Sequence, residues 1–358
     1  MQVDTHDLVA VSERRQQHVE RVLAAFFSDS HRRAAALGAT YAALWQTLER
    51  NASGGKRFRP LMVMASYEAL GGTDIDAAAH VGAAFELLHT ALIVHDDVID
   101  RDFVRRGGPN VSGSYRDIAT TAGIPLPTAE HRGMSVAIIA GDLALFNSYR
   151  LIDKSGAADN VRARLLEVMD EALFASAAGE LIDVDFSIDP AMPRVDDILT
   201  MERLKTAVYS FESPLQAGAV LAGAPEEAID ALGLFGRLIG VAFQLTDDLL
   251  GVFGDPETTG KSVLADLREG KQTALIAHAS ATDQWPLIAP FLGKHDLTEA
   301  EADQVRNHLR DCGAPETADA LAREYASRAV DALEIPVMPD VLRVTLTQLA
   351  LSAVTRRK

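Results

Sequence analysis

Only one cysteine, Cys312, occurs in the 358 residues. That excludes an intramolecular disulfide and fits a reducing cytosol, with Cys312 read as a buried apolar residue. Aromatic residues make up 6% of the chain and strand-like alternation of β-branched residues is nearly absent, so helix is the default throughout. Basic residues are outnumbered, 34 against 51 acidic, for a formal net charge of -17 and a pI near 5.0. This balance argues against a nucleic-acid surface and against adhesion to an anionic membrane. The first residues, Met1 to Asp7, are acidic and have no apolar core, so no secretory signal is read there and a cytoplasmic protein is expected. Long uninterrupted apolar runs are also missing. Stretches 77–94 and 214–224 either contain Glu86 and His89 or fall short of the roughly 20 residues of a membrane span, and read as buried helices. No integral membrane segment is expected.

Alanine and leucine fill the gap left by these absences. The pattern predicts an all-α protein, with helices roughly over 11–28, 33–51, 57–70, 74–92, 133–153, 159–178, 194–222, 226–250, 272–280, 298–311, 315–333 and 339–355. Stretch 74–92 is apolar on almost every face, as in a helix surrounded by others. Glycine and proline breaks separate the helices, and no repeat or composition shift marks a linker, so one domain over 1–358 is expected. The longest irregular segment is 107–133, with Pro109, Gly113, Gly123, Pro125 and Pro127. It reads as a functional loop, and 253–261 as a second one; both follow acidic segments and could close over a ligand.

Those acidic segments are His95-Asp96-Asp97-Val98-Ile99-Asp100 and Gln244-Leu245-Thr246-Asp247-Asp248, each inside an apolar run. On a helix Asp96, Asp97 and Asp100 crowd one side of one turn, and like charges at that spacing repel unless a cation holds them. Hard oxygen ligands suit Mg²⁺, which takes one or two carboxylates and shares its other positions with water and phosphate oxygens. The pattern therefore points to a diphosphate or triphosphate substrate. Three basic regions supply candidates for its anionic end: Gly54-Gly55-Lys56-Arg57-Phe58-Arg59-Pro60, Arg105-Arg106 before Gly107-Gly108, and Lys205 within 201–215. Each alone also fits an ordinary solvated surface, and His89 alone fits a hydrogen-bonded core histidine.

Taken together, the ordered segments resemble the trans-isoprenyl diphosphate synthases of the polyprenyl synthetase family, most nearly the geranylgeranyl diphosphate type. The likeness covers about residues 50 to 275, with core motifs at 54–273: GGKRFRP at 54–60, ELLHTALIVHDDVID at 86–100, RRGGP at 105–109, AGDLAL at 140–145, GELID at 179–183, KTAVYSFESPLQAGAVLAG at 205–223, GVAFQLTDDLLGVFGD at 240–255, GKS at 260–262 and DLREGKQT at 266–273. The resemblance implies a single-domain helical bundle of the isoprenoid synthase type with a central substrate cavity. It implies that Asp96, Asp97, Asp100, Asp247 and Asp248 hold about three Mg²⁺ ions against an allylic diphosphate gripped by Arg105, Lys205 and Lys261. Lys56, Arg59, His89 and Arg106 would bind isopentenyl diphosphate, Thr206 and Gln244 would line the reacting centre, and Phe243 would flank the isopentenyl site. Glu180 and Asp183 look like acids that orient a lysine or bound water. A homodimer is implied as well. The family's second motif commonly carries a third aspartate where this chain has Gly251.

The activity so implied is head-to-tail condensation by ionisation, condensation and elimination, with no nucleophilic Ser, Cys or His required. Product length should depend on the residue five before the first aspartate. Here that is Ala91, with Leu92 beside it and Leu88 a turn earlier, so a C20 product is expected, with C25 to C50 or farnesyl products as the alternatives. A class I terpene cyclase would share the aspartates but not the second diphosphate clamp. A non-catalytic regulatory subunit would share the fold but has no need of the intact aspartates and Lys205.

Overall fold

The structure is a computed structural model that describes residues 5–189, 191–254 and 264–355, with side chains described from residue 12 onward and not at 265. Among these the fold is helical apart from one hairpin of two-residue strands, β1 (Val104–Arg105) and β2 (Gly108–Pro109), paired antiparallel. The chain divides into two compact units: Met1–Met169 with Ala217–Ala224, and Asp170–Gln216 with Pro225–Lys358.

The first unit contains α1 (Thr5–Ala35), α2 (Ala39–Ala52), α3 (Phe58–Ala69), α4 (Ile75–Ile99), α5 (Val111–Thr121) and α6 (Leu126–Asp153). Its core is α4. Asp74 caps that helix by accepting from the backbone N–H of Ala77, and Val81, Ala84, Phe85, Leu88 and Ala91 are completely buried. Three close approaches fix its surroundings. A Cβ on Gly82 would lie 3.2 Å from Pro60, one on Gly141 of α6 would collide with His95 Nε2, and one on Gly218 would collide with Ser66 Oγ. Glycine at 141 thus makes room for the His95 ring, which also lies 3.4 Å from Asp142.

The second unit contains the later part of α7 (Asp159–Ile188), then α8 (Val195–Glu202), a π-helical segment Arg203–Glu212, and the start of α9 (Ser213–Leu221). It continues with α10 (Glu226–Phe253), α11 (Ala265–Glu269), α12 (Ala274–Ser280), α13 (Trp285–Ile288), α14 (Glu299–Asp311), α15 (Ala314–Asp331) and α16 (Asp340–Thr355). Leu267, Leu275, Ile276, Ile288, Leu297, Val305 and Leu309 form a core here. α14 starts on a capping box, Thr298 accepting from the Glu301 N–H while Glu301 accepts from the Thr298 N–H.

The helical reading of the sequence holds, with three differences. Segment 107–133 is not a long loop: it folds into the hairpin, α5 and the first turns of α6. Asn110 caps α5 through the Gly113 N–H at 2.8 Å, and Pro125 and Pro127 sit at the start of α6, where a missing N–H costs nothing. The predicted single helix over 194–222 is split by the π segment, which ends beside Pro214, a residue with no N–H to return up the helix. Cys312 is half-buried, its thiol 3.3 Å from the Leu309 carbonyl. Among the described residues three helices, α4, α6 and α10, are long and apolar enough to cross a membrane by length and composition. In α4 and α10, 78% and 67% of the most apolar window is buried, whereas α6, at 44%, leaves Ile138, Ile139 and Phe146 exposed.

Gly218→Ala should force Ser66 and the Val63 carbonyl away from α9, since both fall well inside contact distance of the added carbon. Overpacking of this kind costs about 1–3 kcal/mol. Urea denaturation should show a lower midpoint with an unchanged slope.

Candidate active site

In the first unit the three aspartates stand at the carboxyl end of α4, with Asp100 as its C-cap residue. Negative charge is disfavoured there, because the last helical carbonyls already carry partial negative charge. Asp97 is buried, and burial pushes its carboxyl up to about 6; Arg105 pulls it down, while Asp96 and Asp102 push it further up. The hairpin delivers the arginine. Arg106 and Gly107 at its turn both adopt positive φ, which suits the twist of a two-residue connection. Arg105 on β1 donates from Nε to Asp97 Oδ1 at 2.7 Å and from Nη2 to Asp96 Oδ2 at 3.3 Å.

The same turn swings Arg106 the other way, to the Ser53 carbonyl at 3.3 Å and against Gly55, where a Cβ would lie 3.5 Å from Nη2. Gly54 and Gly55 have φ of 79° and 83°, so the segment before Lys56 requires glycine. Lys56 is exposed and Arg59 half-buried at the start of α3. Between them Arg57 is a structural residue: it is buried, with φ 49°, and binds Glu20 at 2.6 Å, Glu86 at 2.8 Å and the Ala52 carbonyl at 2.7 Å.

His89, on the face of α4 towards this basic group, is held well below the usual histidine range by burial, and then by the positive fields of Arg59, Arg106, Arg105 and Arg57. It is therefore a neutral ring among guanidinium groups. A cavity of about 350 Å³ opens beside it, lined by Arg50, Glu86, His89, Asp97, Arg105 and Arg106 among others. Sequence does not mark Arg50 as a site residue; nothing in its local pattern separates it from any helical surface arginine. The structure thus brings together Asp96, Asp97, His89, Arg59, Arg105 and Arg106. Ala91 and Leu88 lie buried on α4, with Leu92 half-buried.

In the second unit, Lys205 and Thr206 lie on the π segment. Lys205 Nζ donates to Asp183 Oδ2 at 2.6 Å and lies 3.1 Å from Glu180 Oε2, so these α7 acids orient the lysine as expected. Gly179 permits the approach, because a Cβ there would collide with the Lys205 backbone nitrogen. On α10, Phe243 packs against Phe211 with ring centroids 5.4 Å apart, and Gly240 lets the helix close on Ala207.

The two aspartates of α10 differ. Asp247 is half-buried, whereas Asp248 is buried and accepts from Gln244 Nε2 at 2.9 Å and Lys271 Nζ at 3.1 Å. Lys271 is held above its ordinary range, chiefly by Asp248. Glu202 is pushed well above the carboxylate range by burial and then by Asp248, so it is protonated beside that anion. Among the described residues, Asp248 Oδ2 is nevertheless buried without a hydrogen-bond partner. Lys271 falls within the DLREGKQT segment at 266–273, but sequence assigns neither it nor Glu202 a role. The Gly251 departure also has a structural counterpart. The Asp266 carboxylate occupies the space that a Gly251 Cβ would need, so a side chain at 251 would displace it. Lys261 and Asp255 lie outside the described residues.

Comparison with known proteins gives the family. Residues 42–309 match the family model described as polyprenyl synthetase. The chain is 35% identical over 313 residues to a geranylfarnesyl diphosphate synthase of Aeropyrum pernix, covering 85% of this chain and 91% of that protein. It is 31% identical over 316 residues to a geranylgeranyl diphosphate synthase of Sulfolobus acidocaldarius, covering 86% and 88%. Among solved structures it is similar to the geranylgeranyl pyrophosphate synthase from Corynebacterium glutamicum complexed with isoprenyl diphosphate and magnesium, with a TM-score of 0.88, 31% identity, and coverage of 96% of this chain and 98% of that one. Motif order, site chemistry and similarity over most of the length converge: the chain belongs to the polyprenyl synthetase family and is a prenyltransferase.

Proposed function

We propose that this protein condenses isopentenyl diphosphate with an allylic diphosphate, head to tail, and that its main product is geranylgeranyl diphosphate. The observation that carries the reading is the neutral His89 among Arg59, Arg105, Arg106 and Arg57, beside a cavity and next to the α4 carboxylates. Such a ring of cations is built for a polyanion, and the adjacent acids are built for the metal that accompanies it.

The carboxylates fit Mg²⁺. They are hard oxygen donors, and burial and acidic neighbours push Asp97 up to about 6. Asp96, Asp97, Asp100, Asp247 and Asp248 would hold about three ions, Asp248 being oriented by Lys271 and Gln244. When bound, Mg²⁺ supplies Lewis-acid neutralisation of the leaving diphosphate. Arg105, Lys205 and Lys261 would bind the allylic diphosphate and stabilise charge growing on it as the C–O bond breaks. Thr206, Gln244 and the Lys205 carbonyl would face the allylic cation with oxygen dipoles. Lys56, Arg59, His89 and Arg106 would hold isopentenyl diphosphate, with Phe243 flanking it. The released diphosphate is the base that takes the proton after the new C–C bond forms. Two copies of this chain would cover the exposed Ile138, Ile139 and Phe146 of α6, forming a homodimer in the cytoplasm.

The direct test is the chain length formed from isopentenyl diphosphate with dimethylallyl, geranyl and farnesyl diphosphates, with and without Mg²⁺. A C20 product that requires the metal is expected. An enzyme that ignores isopentenyl diphosphate, or that stops at farnesyl diphosphate, contradicts the reading. The C25 alternative draws on the geranylfarnesyl diphosphate synthase relative, and the same assay separates it.

Ala91 and Leu88 are fully buried on α4. Ala91→Phe or Leu88→Phe should shorten the product by at least one isoprene unit, read by thin-layer chromatography of dephosphorylated products, with circular dichroism to establish that the overpacked helix still folds. Unshortened products from folded variants would place the chain floor elsewhere.

His89 makes binding pH-dependent in a defined direction. Its folded pKa lies below 6.5, so the ring stays neutral in the free protein; an anion on the arginines relieves their field and raises that pKa. Isopentenyl diphosphate should therefore bind with proton uptake below about pH 6.5, fading above it. Calorimetry in buffers of different ionisation enthalpy measures this, and His89→Gln should show less uptake than the unaltered protein.

A further inference from the structure

A second cavity, of about 340 Å³, opens in the first unit where α1, the start of α4 and the end of α6 meet. It is not the site described above. Asp76 at its edge precedes Asp96 by 20 residues on the same helix, which at 1.5 Å per residue places the two about 30 Å apart. Val22, Phe26 and Leu151 supply apolar lining, and Arg21, Arg33, Arg150 and Lys154 supply four cations against Asp29 and Asp76. In a chain of net charge -17 this is a local reversal of sign.

Three of these cations lack acidic partners among the described residues. Lys154 has no ion pair, Arg150 donates to the neutral Asn147 amide at 3.2 Å, and Arg21 meets the His18 ring. Asp29 is taken up by Arg32 and Arg33, and Asp76 faces His18 at 3.8 Å. Arg150 and Lys154 do complement the carbonyl end of α6, but that role needs no cavity. Arg21 reaches the same cavity from α1. A volume of this size is within the range of ordinary small-ligand pockets. Two guanidinium groups and an ammonium above an apolar floor match a doubly charged phosphate head on a hydrocarbon chain.

We propose that this cavity is a second ligand site, for a phosphate- or diphosphate-headed hydrocarbon chain, with the head on Arg21, Arg150 and Lys154 and the chain against Val22, Phe26 and Leu151. Such a molecule is an acidic lipid or a prenyl phosphate; the latter source, but not the site, rests on the proposed function. The test uses the full-length protein with its active site saturated by Mg²⁺ and inorganic diphosphate, which carries no hydrocarbon chain. Dodecyl phosphate, below its micelle concentration, is then titrated by calorimetry. One equivalent should bind to the unaltered protein, and Arg150→Glu/Lys154→Glu should weaken it at least tenfold while leaving kcat and KM of the condensation unchanged. Arg21→Gln, a milder change, should weaken it severalfold if the double variant misfolds. Geranylgeranyl diphosphate in solution and phosphatidic acid vesicles, tried in parallel, identify the source. No binding of dodecyl phosphate to the folded, diphosphate-saturated protein, or equal binding by folded Arg150→Glu/Lys154→Glu, overturns the proposal.

Discussion

Charge that the fold cannot neutralise for itself organises this protein. The α4 carboxylates stand at the end of a buried helix where the backbone already disfavours them, and the arginines around His89 crowd one another strongly enough to keep that ring neutral. Arg105 joins the two groups through Asp97 and Asp96 but cannot satisfy both. A polyanion with its metal, as proposed above, would offset both groups of like charge at once. The second unit repeats the theme with Asp248, Glu202 and Lys271, where one buried carboxyl is pushed towards its protonated form by burial first and then by the carboxylate beside it.

Backbone proximity makes these arrangements possible. Gly179 admits the π segment against α7, so that Lys205 reaches Asp183 and Glu180; Gly240 admits Ala207; Gly251 leaves the space that Asp266 fills. Each glycine gives up helix propensity, and each substitution would push a packed neighbour away. The π segment has the same logic, since its wider turn interrupts the register of one long helix at Lys205 and Thr206.

Much of this is legible in the chain itself. The aspartates, the basic segments and Lys205 stand out because a carboxylate pair in an apolar run is costly unless a cation holds it, and because several motifs in order resemble one family. The glycine-preceded turn at 54–55 is also readable, and both residues do have positive φ. The proline-rich segment 107–133 reads falsely as a loop because Pro125 and Pro127 mark a helix start as well as they mark a break. Asp248 and Asp247 look equivalent in sequence, yet the first is buried under Lys271 and the second is half-buried.

The sequence alone determined the helical class, the family and the chemical types at the site, because periodicity and motif order are local properties of the chain. Tertiary structure decided which cations face which anions: Arg57 became a structural strut on Glu20 and Glu86, while its neighbour Arg59 joined Arg106 around His89. It also decided which histidine stays neutral, which aspartate takes the room beside Gly251, and that basic residues of α1 and α6 line one cavity. Burial and electrostatic fields depend on neighbours distant in the chain, and only the folded backbone brings those neighbours together.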